Sequence, residues 1–154
     1  MKAEFANKGG SIFDSKMSTL VNPVNTVGVM GAGLALIFKK SFPQNFIEYK
    51  KVCNSGELVP GKVHVWRPIT HNLFEDSQIV VNFPTKKHWK DPSKIEYISD
   101  GLDDLARAIV DLEIESIAIP KLGCGLGGLK WSEVQPLIKS KLEHLPIFVE
   151  LYEW

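Results

Sequence analysis

The sequence predicts an α/β fold, a three-layer α/β/α sandwich with a central mixed sheet. Three observations predict it. Short apolar runs such as QIVVNF at 78–83 and SIAIP at 116–120 have the length and composition of buried strands. Amphipathic stretches lie between these runs, the clearest over 93–111. Strands and helices alternate along the chain after an initial strand segment, which favours a layered α/β domain over an all-β or bundle fold.

Each element has its own signal. Residues 2–6 read as a short strand, and Gly9, Gly10 and Ser11 as a turn. Thr19 to Val21 reads as a buried strand that ends at a loop. Residues 31–41 predict a helix with Leu34, Leu36, Ile37 and Phe38 as its apolar members. Lys39 and Lys40 sit near its C-terminal end, where cations suit the helix dipole. Pro43 closes it, and a second helix follows over about 44–54, stopping near Gly56. Lys62 to Arg67 alternates apolar and polar residues as a strand does, and the run at 78–83 ends at Pro84. In the helix over 93–111, Ile95, Ile98, Leu102, Leu105, Ile109 and Leu112 form one stripe, with Ser93 as its expected cap. Trp131 to Leu142 predicts a helix with Ser132 as a candidate cap, and Ile147 to Tyr152 a final strand.

Bulk composition narrows the function classes. At 154 residues, 44% hydrophobic and 23% charged, the chain fits one globular domain over 1–154. Lys and Arg together number 18, as do Asp and Glu, so broad electrostatic binding to long nucleic acid is not predicted, although a local basic patch is compatible. The two cysteines, Cys53 and Cys124, do not cluster with the histidines, and no zinc spacing or disulfide framework is present. The first eleven residues lack the apolar run of a signal peptide, and no stretch approaches a membrane span. The expected setting is a monomer in the reducing cytoplasm, away from membranes.

Three loops carry the chemistry. Leu20 to Phe42 runs from an apolar strand through two asparagines and three glycines into a helix, which is how backbone N–H groups are presented to phosphates. Asn22 and Asn25 offer both a donor and an acceptor for ribose hydroxyls, or simply stabilise the turn. Gly28, Gly31 and Gly33 allow close backbone approach, but their spacing is neither the dinucleotide fingerprint nor a P-loop. Gly123–Gly128 (GCGLGG) also follows an apolar strand and precedes a helix. Two such loops suggest a ligand with two phosphates, or one long diphosphate cleft. Cys124, without a histidine nearby in sequence, reads as a small buried residue rather than a nucleophile. The third loop, NFPTKKHW at 82–89, leaves the C-terminal end of a buried strand, where open α/β sheets build sites. Lys86 and Lys87 are surface lysines on the plain reading. Near a ligand, a lysine binds anions or, partly desolvated, attacks a carbonyl-like carbon. His88 and Trp89 either line the same mouth, for proton transfer and base stacking, or pack the loop.

Together these segments resemble a macrodomain, the ADP-ribose-binding fold. The resemblance runs in order through VNPVNTVGVMGAGLALIFKKSFP, NFPTKKHWKDPS, the helix at 95–111 and IAIPKLGCGLGGLKW. It is strongest to the branch holding the DarG antitoxin macrodomain and the human terminal ADP-ribose protein glycohydrolase. That branch removes ADP-ribose from DNA bases or from protein carboxylates, without a cofactor or metal, so ADP-ribose is the expected ligand or product. The branch's catalytic lysine falls on Lys86. The resemblance implies that Asn22, Asn25, Thr26, Gly28, Met30, Gly31 and Gly33 surround the distal ribose and diphosphate. It implies that Gly123, Cys124, Gly125, Leu126 and Gly127 cradle the diphosphate through backbone N–H groups. Pro84, Thr85, His88 and Trp89 complete the mouth, and Ser11 and Ile12 stand at the adenine end. Ser11 takes the place where many macrodomains carry an acidic residue, and Gly127 the place of the human relative's catalytic aspartate. The DNA-directed variant is therefore the better expectation, with ADP-ribosylated DNA as partner and a basic, aromatic rim of Lys86, Lys87, His88, Trp89 and Lys90. The alternatives are a hydrolase of ADP-ribosylated protein carboxylates, an ADP-ribose phosphate phosphatase, and a non-catalytic reader.

Overall fold

The computed structural model describes residues 2–69 and 78–153. Among these residues six strands form one sheet: β1 (Glu4–Lys8), β2 (Thr19–Val24), β3 (His64–Trp66), β4 (Ile79–Pro84), β5 (Ser116–Ile119) and β6 (Phe148–Tyr152). Their order is β1-β6-β5-β2-β4-β3. Every pairing is parallel except β3 with β4, so the sheet is mixed as expected. Among the described residues the α-helices are α1 (Gly33–Ser41), α2 (Pro43–Asn54), α3 (Ile95–Asp111) and α4 (Trp131–Leu142).

Strand alternation sorts the core into two layers. Val21, Val81, Phe83, Ile117, Ile119, Val149 and Leu151 face one way and join the α3 stripe and Val134 and Ile138 of α4. Leu20, Val80, Ala118 and Tyr152 face the other way and join Phe38 of α1. This is the three-layer sandwich the sequence predicted. Gly101 sets how closely α3 approaches the sheet. A Cβ there would lie 2.4 Å from Phe83 Cζ, so only glycine admits that ring.

The sheet divides where the site forms. β2 pairs with β5 only at Thr19↔Ile117 and Leu20↔Ala118. Beyond that, β2 continues beside β4 as far as Val24↔Pro84, and β5 beside β6 as far as Ile119↔Leu151. Pro23 and Pro120 lie in the diverging ends, and neither has an N–H to extend a shared ladder. Connections leave β2 and β5 toward opposite edges of the sheet, so their C-terminal ends bound a topological switch point.

Several predicted boundaries move. β2 runs three residues past Val21, because pairing with β4 carries it through Asn22 and Pro23. Pro43 opens α2 at its first position, where a missing N–H costs nothing, as well as ending α1. The strand expected over 62–67 shortens to His64–Trp66. Two caps are corrected. α3 starts at Ile95 with Lys94 at the cap position, leaving Ser93 outside the helix, its N–H bonded instead to the Gly127 carbonyl. Ser132 is already inside α4, whose cap position is Lys130 and has no side-chain bond.

Candidate functional site

A cleft of about 900 Å³ opens over the divided strand ends. Pro23, Val24 and Asn25 enter it from the end of β2, and Thr85 and Lys86 from the end of β4. Gly31 to Ala35 form one wall and Gly123 to Gly127 the other. Lys121, Leu129, Trp131, Ser93 and Trp89 close the rest.

The first wall is an uncapped helix N-terminus. Ala32 at the cap position of α1 makes no side-chain bond, so the opening N–H groups of that helix remain available beside the cleft. Such an end favours negative charge, and anionic oxygens are its natural partners. Behind it, Asn25 folds the loop onto itself. Its Oδ1 accepts from the N–H groups of Val27 at 3.1 Å and Val29 at 3.4 Å, and its Nδ2 donates to the Val29 carbonyl at 2.8 Å. Tyr49, fully buried, donates to Asn25 Oδ1 and lies equally near the Asn25 carbonyl, both at 2.8 Å. Burial pushes the Tyr49 phenol far above its ordinary range, so it stays a donor. Asn25 lines the cleft with a side chain largely committed to its own loop.

Asn22 lies beneath the cleft rather than in it. Its Nδ2 donates to Asn82 Oδ1 at 3.1 Å. Asn82 also exchanges hydrogen bonds with Asn45 of α2 at 2.8 and 3.2 Å and meets His64 Nδ1 at 3.0 Å. All three asparagines are fully buried. Burial holds the His64 imidazole below its ordinary pKa, so the ring is neutral and its Nδ1 accepts from Asn82.

Lys86 is placed by its neighbours. The Thr85 N–H donates to the Val24 carbonyl at 2.9 Å. Thr26 binds the Lys87 carbonyl twice, through its N–H at 2.9 Å and its hydroxyl at 3.0 Å. The lysine loop is thus tied to the first glycine loop on both sides of Lys86. The Lys86 ammonium, half-buried, reaches toward the Trp89 carbonyl at 3.5 Å. Trp89 is 53% exposed, with Lys90 Nζ 4.9 Å from its ring centroid. This is an aromatic and basic rim beside the lysine.

The second wall is held by backbone. Leu129 N–H donates to the Gly123 carbonyl, Gly128 N–H to that of Gly125, and Ser93 N–H to that of Gly127. Burial raises the Cys124 thiol above its usual pKa against a smaller opposing pull from Lys121. Cys124 is therefore a protonated wall residue rather than a thiolate nucleophile.

Of the residues expected from sequence, the cleft brings together Asn25, Gly31, Gly33, Thr85, Lys86, Trp89 and all of Gly123 to Gly127. Thr26, Gly28, Met30, Pro84 and His88 support these loops from outside the lining. Met30 is buried against Val24 and Tyr49. Ser11 and Ile12 lie off the cleft: Ser11 caps a short 3-10 turn at 12–14 through its hydroxyl, and Ile12 packs in the core beside Phe38. Ser93, Lys121, Leu129 and Trp131 line the cleft without having been singled out as binding residues. Ser93 carried a misleading signal as a helix cap, while Trp131 at the end of GLGGLKW was legible as part of the motif. Among the described residues no three of His, Cys, Asp and Glu converge in a way that would hold a metal ion.

The Macro domain family model matches residues 21–138, a span containing both glycine loops and the lysine loop. This chain belongs to the macrodomain family. The macrodomain is 44% identical over 145 residues to a DNA ADP-ribosyl glycohydrolase of Thermus aquaticus, covering 94% of this chain and 39% of that protein. It is also 44% identical to the DNA ADP-ribosyl glycohydrolase of Mycobacterium tuberculosis, covering 89% of this chain and 38% of the other. It therefore spans about two fifths of the length of these relatives. The solved macrodomain of Thermus aquaticus DarG superposes with a TM-score of 0.91 at 42% identity, covering 99% of both chains. A Thermosipho africanus DarTG structure in complex with ADP-ribose superposes at 0.84 with 40% identity, covering 94% of this macrodomain and 40% of that chain.

Proposed function

We propose that this macrodomain removes ADP-ribose from modified DNA bases, acting over residues 1–154 as one domain, with Lys86 as the catalytic residue. The convergence of Lys86 with both glycine loops in one cleft carries the reading. The α1 N-terminus and the Gly123–Gly127 backbone suit the two phosphates of ADP-ribose. Lys86 then stands at the mouth, beside a tryptophan suited to stacking on a base. Similarity to proteins named DNA ADP-ribosyl glycohydrolase favours DNA over protein as the substrate. The proposed binding set is the group of expected residues that line the cleft, supported from outside it by Asn22, Thr26, Gly28, Met30, Pro84 and His88, with Ser11 and Ile12 off the cleft.

Hydrolysis adds water across the bond from the anomeric carbon to the base, giving the base a proton and the sugar a hydroxyl. Lys86 fits two roles in that change. As a nucleophile, its neutral amine adds to the ring-opened carbon, the base departs with the proton the amine sheds, and water hydrolyses the resulting imine to free the amine and ADP-ribose. As an ammonium, it stabilises charge on the departing group and orients the water.

Turnover on a single-stranded DNA oligonucleotide carrying ADP-ribose tests the reading. Lys86→Ala is expected to lose about a hundredfold or more in kcat while still binding ADP-ribose. Borohydride added during turnover divides the two roles, since only the imine is reduced to a stable adduct on Lys86. Unchanged turnover in the variant removes Lys86 from the chemistry. Release from glutamate-modified protein but not from DNA moves the substrate class to protein carboxylates.

A further inference from the structure

Among the described residues, three buried side-chain polar atoms have no hydrogen-bond partner: Asn22 Oδ1, Ser93 Oγ and Trp131 Nε1. Such atoms are rare in folded proteins, and each loses its hydration without a replacement. Asn22 belongs to the asparagine network under the sheet, where its amide is already bonded. The other two both belong to residues that line the cleft, and both flank the second glycine loop.

Ser93 is only 7% exposed. Its backbone is fixed by the 2.9 Å bond from its N–H to the Gly127 carbonyl. Its hydroxyl lies against the bare face of Gly127, where a Cβ would be 2.4 Å from Oγ. A side chain at 127 would displace this hydroxyl, so the glycine is what makes room for it. No helix-capping role accounts for Ser93, because α3 begins two residues later with Lys94 at the cap position. Trp131 opens α4 three residues beyond Gly128, its ring packed against the core. The indole N–H can only donate, so its partner has to be an acceptor. A hydroxyl and an indole N–H left unpaired beside one loop suit a ligand rich in acceptor oxygens.

We propose that Ser93 and Trp131 are two further ligand-reading residues, donating hydrogen bonds beside the second glycine loop to the oxygens of the diphosphate-linked sugar in the cleft. The serine hydroxyl reaches its acceptor by rotation between staggered χ1 positions, without backbone movement. The role deepens the ADP-ribose reading of this site and rests on it.

Calorimetric titration with ADP-ribose tests the pair, using Ser93→Ala, Ser93→Thr and Trp131→Phe. Ser93→Ala and Trp131→Phe are each expected to weaken binding about tenfold, the effect of one lost ligand hydrogen bond. Ser93→Thr keeps the hydroxyl and is expected to bind as wild type does. The Tm of unbound Ser93→Ala is expected to stay level or rise, because an unpaired buried group has been removed. Wild-type affinity in Ser93→Ala or in Trp131→Phe overturns the pairing. Weaker binding of Ser93→Ala accompanied by a lowered Tm and no rescue by threonine overturns it as well, since that pattern marks a packing role. Wild-type protein that does not bind ADP-ribose overturns the reading of the cleft itself, a failure distinguishable from the others because it precedes any substitution.

Discussion

The two glycine loops look interchangeable in sequence and are held in opposite ways. The loop from Asn22 to Gly33 is braced by side chains: Asn25 bridges it internally, Tyr49 reaches up from α2, and Thr26 ties it to the lysine loop. The loop from Gly123 to Gly128 is braced by backbone bonds and by close packing of Leu129 and Ser93 against its glycines. Its wall carries the unpaired Ser93 hydroxyl and Trp131 indole N–H, whereas the Asn25 side chain lining the first wall is fully bonded and the first loop's unpaired atom, Asn22 Oδ1, lies beneath the cleft. Glycine content alone signals close approach. It does not say whether the loop spends its hydrogen-bonding capacity on itself or leaves it for a ligand.

The contrast is broken most severely through Asn82. Asn82→Ala removes every asparagine contact under the first loop, leaves buried Asn45 and the half-buried His64 Nδ1 without their partner, and leaves Asn22 only its weak contact to Met30 Sδ at 3.8 Å. A loss of roughly 3 kcal/mol in urea unfolding is expected, because stranded buried polar groups cost more than the bonds themselves contribute. A loss near zero would mean that water replaces the network.

The second loop is probed by two alanines that differ only in packing. Gly123 has φ +74°, and a Cβ there would meet Leu129 Cδ1 at 2.7 Å, with Ile98 and Ser93 at 3.2 and 3.3 Å. Gly125 has φ +70° and nothing within 4 Å. Gly125→Ala carries the left-handed backbone penalty alone, about 1 kcal/mol, while Gly123→Ala adds crowding and is expected to reach about 2–3 kcal/mol. Equal losses by chemical denaturation would show that Leu129 yields freely and that packing does not hold this loop.

The smallest expected effect is a pH dependence confined to the first loop's support. Burial lowers the His64 pKa from 6.5, with Glu48 and Glu57 pulling less strongly the other way. As pH falls, the unfolded chain takes up this proton before the folded one does. The contribution of neutral His64 is therefore complete above pH 6.5 and declines below it until the folded-state pKa is reached. Unfolding followed from pH 8 to pH 5 is expected to show a shallower decline in His64→Gln. Parallel profiles for the two proteins would remove His64 from the acid sensitivity.

Much of the layered fold was legible because strand alternation and the α3 stripe are local patterns. Val21 and Val81 face one layer while Leu20 and Val80 face the other, as period two requires. Boundaries were less legible. The strand expected over Thr19 to Val21 ended at the first loop, yet pairing with β4 carries β2 to Val24. Ser93 had the chemistry of a helix cap, yet contact with Gly127 takes it out of the helix.

The sequence by itself determined the alternation of elements and the placement of two glycine-rich loops and one lysine-bearing loop after apolar strands. These follow from neighbours within a few positions of one another. The tertiary structure alone decided that β2 and β5 part after Leu20 and Ala118, that Asn22 lies under the cleft while Asn25 lines it, and that Ser93 meets Gly127, 34 residues further along the chain. Those outcomes depend on strand order and on which side chains meet across the sheet, and no local spacing encodes them.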